Sequence, residues 1–174
     1  MQPAELMFDL PRTLSGSFDD VVRQRETQVL RTAFRILGNW ADAEEVAQEV
    51  FLRLYRHGLG FPTEAAMGSW IYRVTVNLCV DRSRRPRASQ DVPGLRDPRA
   101  SPEASAIREQ RKQQLMQALS TLPVKERAAV VLREIEGLST AEVAAILGSR
   151  EVTVRSQISN AFGRLRAILK REDL

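Results

Sequence analysis

The chain has 174 residues, 43% of them hydrophobic and 6% aromatic, with one cysteine, one histidine and a formal charge of +4. That length holds one ordinary domain or two small ones, and the lone cysteine excludes an internal disulfide framework. Without a Cys/His cluster a structural zinc site is not expected either. No stretch approaches the ~18 apolar residues of a membrane span. The N-terminal Met-Gln-Pro-Ala-Glu-Leu-Met-Phe-Asp-Leu-Pro has no basic start or apolar run, so it does not read as a signal peptide and the expected location is the cytoplasm.

Charge is unevenly spread. Met1 to Asp81 carries 8 basic and 11 acidic residues, Arg82 to Ser105 carries 6 and 3, and Ala106 to Leu174 carries 12 and 8. The basic excess therefore begins with the second half. It attracts phosphate without identifying a nucleic-acid protein by itself.

In chain order, residues 1–16 form an arm and a first helical block spans 17–85. Ser17 to Leu37 is amphipathic, with Phe18, Val21, Val22, Val29, Ala33, Phe34 and Leu37 facing inward and Gly38 as its stop. Asn39 is placed to cap a second helix, Ala41 to Arg56, whose early Asp42, Glu44 and Glu45 suit the positive end of the helix dipole. Ala43, Val46, Ala47, Val50 and Leu54 are its core positions, while Glu45, Gln48, Glu49 and Leu52 share another face. His57 to Gly68 reads as a loop with an exposed Phe61, followed by a helix from about Ser69 to Arg84. Cys79, in an apolar helical context, reads as a buried thiol. Four prolines between Arg84 and Ala104 mark 86–104 as an extended, flexible linker. About twenty stretched residues reach roughly 65 Å at ~3.3 Å each, near two turns of DNA at ~34 Å per turn.

The second block, 105–174, is expected to hold helices at Pro102 to Ser120 and at Pro123 to Glu136, with Pro123 at a first helical position. Its end is the most informative part of the chain. Ser139 with Glu142 makes a capping box, Val143, Ile146 and Leu147 form a short buried stripe, and Gly148 supplies a tight stop. A longer helix then steps through Val154, Ile158, Ala161, Leu165 and Ile168 on one face. Opposite lie Val152, Arg155, Ser156, Ser159, Asn160 and Gly163, small or hydrogen-bonding side chains suited to a major groove. This is the pattern of a helix-turn-helix. An enzyme has little support: the chain has no Gly-rich phosphate loop, metal cluster or nucleophile elbow, and its only histidine lies in the Gly-rich stretch. No cofactor is expected. Overall the fold expected is all-α, as two small helical domains joined by the linker.

Two motif blocks carry a family resemblance. Asp42-Ala-Glu-Glu-Val-Ala-Gln-Glu-Val-Phe-Leu-Arg-Leu-Tyr-Arg56, with Trp70-Ile-Tyr-Arg-Val-Thr-Val-Asn77, Asp81 and Arg84-Arg85, resembles region 2 of bacterial sigma-70 factors. Leu119 to Pro123, Arg127, Leu132 to Glu142 and Thr153-Val-Arg-Ser156 resemble region 4. With only those regions the chain is similar to the extracytoplasmic-function group. The resemblance implies a subunit that binds core RNA polymerase, melts a minus-ten element with block one and reads a minus-thirty-five element with block two. It also implies contacts with the clamp of the beta-prime subunit and the beta flap, control by an anti-sigma factor, and no membrane insertion. The alternative is a stand-alone helix-turn-helix regulator, with block one as a sensing or dimerising domain.

Residue by residue, the resemblance implies polymerase contacts at Asp42, Glu45, Gln48, Glu49 and Leu52. It implies minus-ten contacts at Phe61, Arg73, Asn77, Asp81, Arg84 and Arg85. For Arg82, Arg84, Arg85 and Arg87 two roles stand side by side, gripping phosphate or complementing a helix C-terminus; Trp70 is favoured as packing. In block two, Arg155, Ser156, Ser159 and Asn160 match reading positions, and Arg133, Arg150 and Thr153 match phosphate contacts. The chain departs from the family at Met67, at Gly58-Leu59-Gly60, and at Arg150, Val152, Gln157 and Asn160, the last two standing where arginine is frequent. An altered minus-thirty-five preference and a shallower salt dependence are therefore expected.

Overall fold

The computed structural model describes residues 17–85 and 106–172. The arm at 1–16 and the linker at 86–104 lie outside the described residues. Seven α-helices and one π turn, with no strand among the described residues, make up the all-α fold. In chain order they are α1 (Phe18–Leu37), α2 (Trp40–His57), α3 (Glu64–Ser83), α4 (Ala106–Ser120), α5 (Val124–Val130), a π turn (Val131–Ile135), α6 (Thr140–Leu147) and α7 (Glu151–Glu172).

Local chemistry sets the helix ends. Ser17 Oγ accepts from the Asp20 amide at 3.3 Å and the Asp20 carboxylate accepts from the Ser17 amide at 3.2 Å, a reciprocal cap on α1. Gly38, at φ +74°, ends that helix and donates to the Phe34 carbonyl at 2.7 Å, a conformation glycine adopts without a Cβ penalty. Asn39 Oδ1 then caps α2 through the Asp42 amide at 3.0 Å. The turn is closed by Trp40 stacking on Phe34, centroids 3.8 Å apart and rings 6° from parallel.

The third helix corrects the sequence reading. It begins at Glu64 rather than near Ser69, and Gly68 lies inside it. Thr63 is the reason: its Oγ1 accepts from the Ala66 amide at 3.1 Å and starts the helix. A mid-helix glycine costs about 1 kcal/mol against alanine, which cap and packing together offset. The connecting loop thus shrinks to 58–63, and Phe61 is pulled into the core at 7% exposure, not left exposed as expected. The fifth helix also departs from expectation. Its last turn widens, with the Glu136 amide donating to the Val131 carbonyl at 3.0 Å and Leu138 to Leu132 at 3.1 Å. Val131 and Leu132 are fully buried there while the turn carries Glu136 toward block one.

In block one α1, α2 and α3 pack pairwise; in block two α5 and α6 pack against α7. The core positions expected for α2 are all buried, as are Val143, Ile146, Val154 and Ala161 of the helix-turn-helix. The blocks also pack on each other, α3 against α5 and α6, and α1 against α4, α5 and the π turn. That contact explains two residues absent from the expected inward face of α1, Thr32 and Ile36, which are 0% and 1% exposed. The Thr32 hydroxyl donates to Glu136 at 2.8 Å. The Ile36 carbonyl, an orphan acceptor in a last helical turn, receives the Arg127 guanidinium at 2.7 Å.

Candidate nucleic-acid interface

The helix-turn-helix is built as its sequence dictates. Ser139 Oγ accepts from the Glu142 amide at 3.2 Å and the Glu142 carboxylate accepts from the Ser139 amide at 2.7 Å. That backbone bond, with the serine hydroxyl, holds the Glu142 carboxyl below its ordinary range. Gly148 at φ +59° closes α6. The buried stripe of α7 then fixes its rotation and turns Arg155, Ser156, Ser159 and Asn160 outward, all exposed. Arg155 is braced by Glu151 at 3.0 Å, and Ser156 Oγ donates to the Val152 carbonyl at 3.0 Å. Val152 is 68% exposed, an apolar tip among polar neighbours of the kind that meets a thymine methyl. Arg150 and Thr153 are exposed beside this row, and Arg133 is half-buried on the π turn.

Arg73, Asn77 and Asp81 of α3, and Arg84 and Arg85 just beyond its end, are exposed, and the first three recur at four-residue steps along one face. Phe61 does not join them. Its ring stacks on His57, centroids 4.7 Å apart, and tilts against Trp70 at 5.7 Å, so the half-buried Trp70 is packing, as favoured from the sequence. On α2, Glu45, Gln48 and Leu52 are exposed and Glu49 is half-buried beside Arg53 at 2.7 Å. Asp42, at the edge of this face, is tied down: Arg82 reaches it through Nε at 2.8 Å and Nη2 at 2.6 Å, and reaches Glu45 at 3.1 Å. Those bonds raise the Arg82 pKa and make this arginine a strut between α2 and α3.

Between the blocks lies a cleft of about 550 Å³. Asn77, Asp81 and Arg84 line one side, and Lys125, Thr153 and Gln157 line the other. Among the described residues no group of three His, Cys, Asp or Glu side chains is placed to hold a metal ion, and no helix is long and apolar enough to cross a membrane. Cys79 is 0% exposed, and burial pushes its thiol up to about 12, which makes it inert at neutral pH.

Residues 21–89 match the sigma-70 region 2 model, and residues 112–165 match the model for sigma-70, region 4. The chain is 37% identical over 153 residues to the ECF RNA polymerase sigma factor SigM of Mycobacterium tuberculosis, an alignment covering 88% of this chain and 77% of that one. The chain belongs to the sigma-70 family. Several of its relatives are named ECF RNA polymerase sigma factors. SigE of Mycolicibacterium smegmatis is 38% identical over 162 residues, and this chain spans 62% of its length. The RNA polymerase sigma-E factor of Streptomyces avermitilis is 34% identical, over 90% of this chain and 87% of that one.

Two solved structures share the fold. CnrH in complex with the cytosolic domain of CnrY superposes with a TM-score of 0.65 at 22% identity, covering 88% of each chain. The sigma factor RpoE of Bartonella quintana, solved with the anti-sigma factor NepR, superposes at 0.66 and 19%, covering 88% of this chain and 96% of that one.

Two residues that the sequence places only within the region 4 motif are brought by the fold to the junction of the blocks. Arg127, only 9% exposed, donates to the Ser120 carbonyl at 2.7 Å and to Leu122 at 3.0 Å as well as to Ile36. The Glu136 carboxylate accepts from Thr32, from Arg35 at 2.9 Å and from Tyr72 at 3.0 Å. An arginine after Pro123 and a glutamate before a glycine look solvated in sequence. The one available signal was a polar Thr32 inside the apolar run of α1.

Proposed function

We propose that this sigma factor binds core RNA polymerase in the cytoplasm and directs initiation at its own promoters, without catalysing a reaction itself and without a cofactor. The observation that carries this reading is that both regions match on one chain, in order, while an acidic face of α2 and a polar face of α7 stay open to partners. Residues 17–85 act as region 2 and 105–174 as region 4, flanked by an arm at 1–16 and joined by a linker at 86–104. The alternative of a stand-alone regulator is not favoured, because block one itself matches region 2.

Glu45, Gln48, Glu49 and Leu52 dock on the polymerase clamp, with Asp42 orienting their helix through Arg82. Arg73, Asn77, Asp81, Arg84 and Arg85 meet the minus-ten strand. Phe61 serves as a wall for an unstacked base only after leaving its stack with His57; such stacking is worth about 1–3 kcal/mol per base. Arg155, Ser156, Ser159 and Asn160, with Val152, read the minus-thirty-five major groove while Arg133, Arg150 and Thr153 hold phosphates. Region 4 also meets the beta flap. An anti-sigma partner is supported by the solved relatives, two of which are complexes of that kind or with a cytosolic partner domain.

The test is transcription from a fragment library by core polymerase with and without the purified chain. New start sites are expected only with the chain present; their absence at every template would overturn the reading.

A further inference from the structure

One buried carboxylate bridges the two blocks, beside the Arg127–Ile36 bond and the helix packing between them. The Glu136 side chain is 9% exposed and belongs to block two, yet its three hydrogen-bond donors come from block one. Thr32 and Arg35 of α1 reach Oε1 at 2.8 and 2.9 Å, and Tyr72 of α3 reaches Oε2 at 3.0 Å. Gln28 in turn donates to the Tyr72 hydroxyl, fixing its direction. Burial first, and then the Glu136 charge, raise the Tyr72 pKa, so the phenol stays protonated and donating. Charge-assisted bonds to a nearly dry carboxylate are strong, and removing the donors leaves a buried charge unpaired.

The clasp has a geometric consequence. With the blocks drawn together, Asn77, Asp81 and Arg84 face Thr153 and Gln157 across a cleft of about 550 Å³. That is the size of a small-molecule pocket and cannot admit a duplex. At one end the Arg73 guanidinium is engaged by the Ala145 carbonyl of α6 at 3.2 Å. The side chains assigned to the minus-ten strand are here turned toward block two, while the reading row of α7 stays exposed.

We propose that Glu136 is the clasp of a closed state of the free chain, and that releasing it from Thr32, Arg35 and Tyr72 parts the blocks and uncovers Asn77, Asp81 and Arg84 for the minus-ten strand. The second half of this statement rests on the promoter-reading assignment above; the first half does not.

The experiment uses the full chain with spin labels at Gln24→Cys and Ala167→Cys, both exposed positions, while the fully buried Cys79 stays unlabelled. Glu136→Gln weakens the clasp from block two, and the double variant Arg35→Ala/Tyr72→Phe weakens it from block one, leaving the helix-turn-helix untouched. Pulsed dipolar spectroscopy is expected to give one narrow short distance for the parent and a longer, broader distribution for both variants. Binding to a single-stranded oligonucleotide carrying the minus-ten element, without polymerase, is expected to tighten at least threefold. Unchanged distances in the double variant, at parental helix content, overturn the clasp, whatever Glu136→Gln does to folding. Opening without any gain in affinity for that strand upholds the clasp and counts instead against the minus-ten assignment of Asn77, Asp81 and Arg84.

Discussion

Asn160 shows how far a single side chain carries the reading. Its amide presents a donor and an acceptor side by side, the pattern that pairs bidentately with adenine and discriminates by about 1–3 kcal/mol. It stands exposed on α7 with Ser156 and Ser159 near it. Replacing it with arginine, Asn160→Arg, is expected to move the preferred base at one minus-thirty-five position toward guanine and to steepen the salt dependence of binding by about one unit. Selection from random DNA followed by a salt titration measures both. An unchanged site would remove Asn160 from the reading row. Cys79 marks the opposite case: full burial and a raised thiol pKa leave a packing residue with no thiolate for redox chemistry.

The short α6 depends on its ends. A helix of 8 residues is too short to persist on propensity alone, so the box made by Ser139 and Glu142 sets whether α7 is presented correctly. Ser139→Ala is expected to cost about 1 kcal/mol, read as a lowered urea midpoint. The box also has a pH signature. The folded Glu142 pKa lies below its ordinary value of about 4.3, so the carboxylate stabilises the folded chain above that pH. The contribution is lost as pH falls through the lower, folded value. Carbon-detected titration of Glu142 should show a depressed midpoint in the parent and a normal one in Ser139→Ala. The third helix teaches the converse. Gly58, Gly60 and Gly68 suggested a long loop, but a threonine cap and the burial of Phe61 and Met67 outweighed one helical glycine.

At the scale of the whole molecule, two faces must work independently. The second helix packs chiefly on α1 and α3 and leaves Glu45, Gln48 and Leu52 exposed, so a lesion there should spare the reading row of α7. Gln48→Ala with Glu49→Lys is expected to reduce association with core polymerase at least tenfold while leaving the affinity of α7 for its duplex unchanged. Fluorescence anisotropy with labelled polymerase and labelled DNA separates the two effects. Normal polymerase binding by that variant would remove the acidic face from the clamp contact.

Most helices, the caps at Ser139 and Asn39 and both exposed rows were legible in the chain because each depends on residues three or four apart: Ser139 with Glu142, Asn39 with Asp42, and Val154 with Ile158. Local hydrogen bonds and apolar periodicity are written directly in such spacings. The closure of the blocks was not legible. Glu136 meets Thr32 across 104 positions of sequence and Arg127 meets Ile36 across 91. Nothing local distinguishes a solvated glutamate from one clasped by three donors. Burying that carboxylate requires both blocks to be folded and in place, so only the tertiary structure decided it.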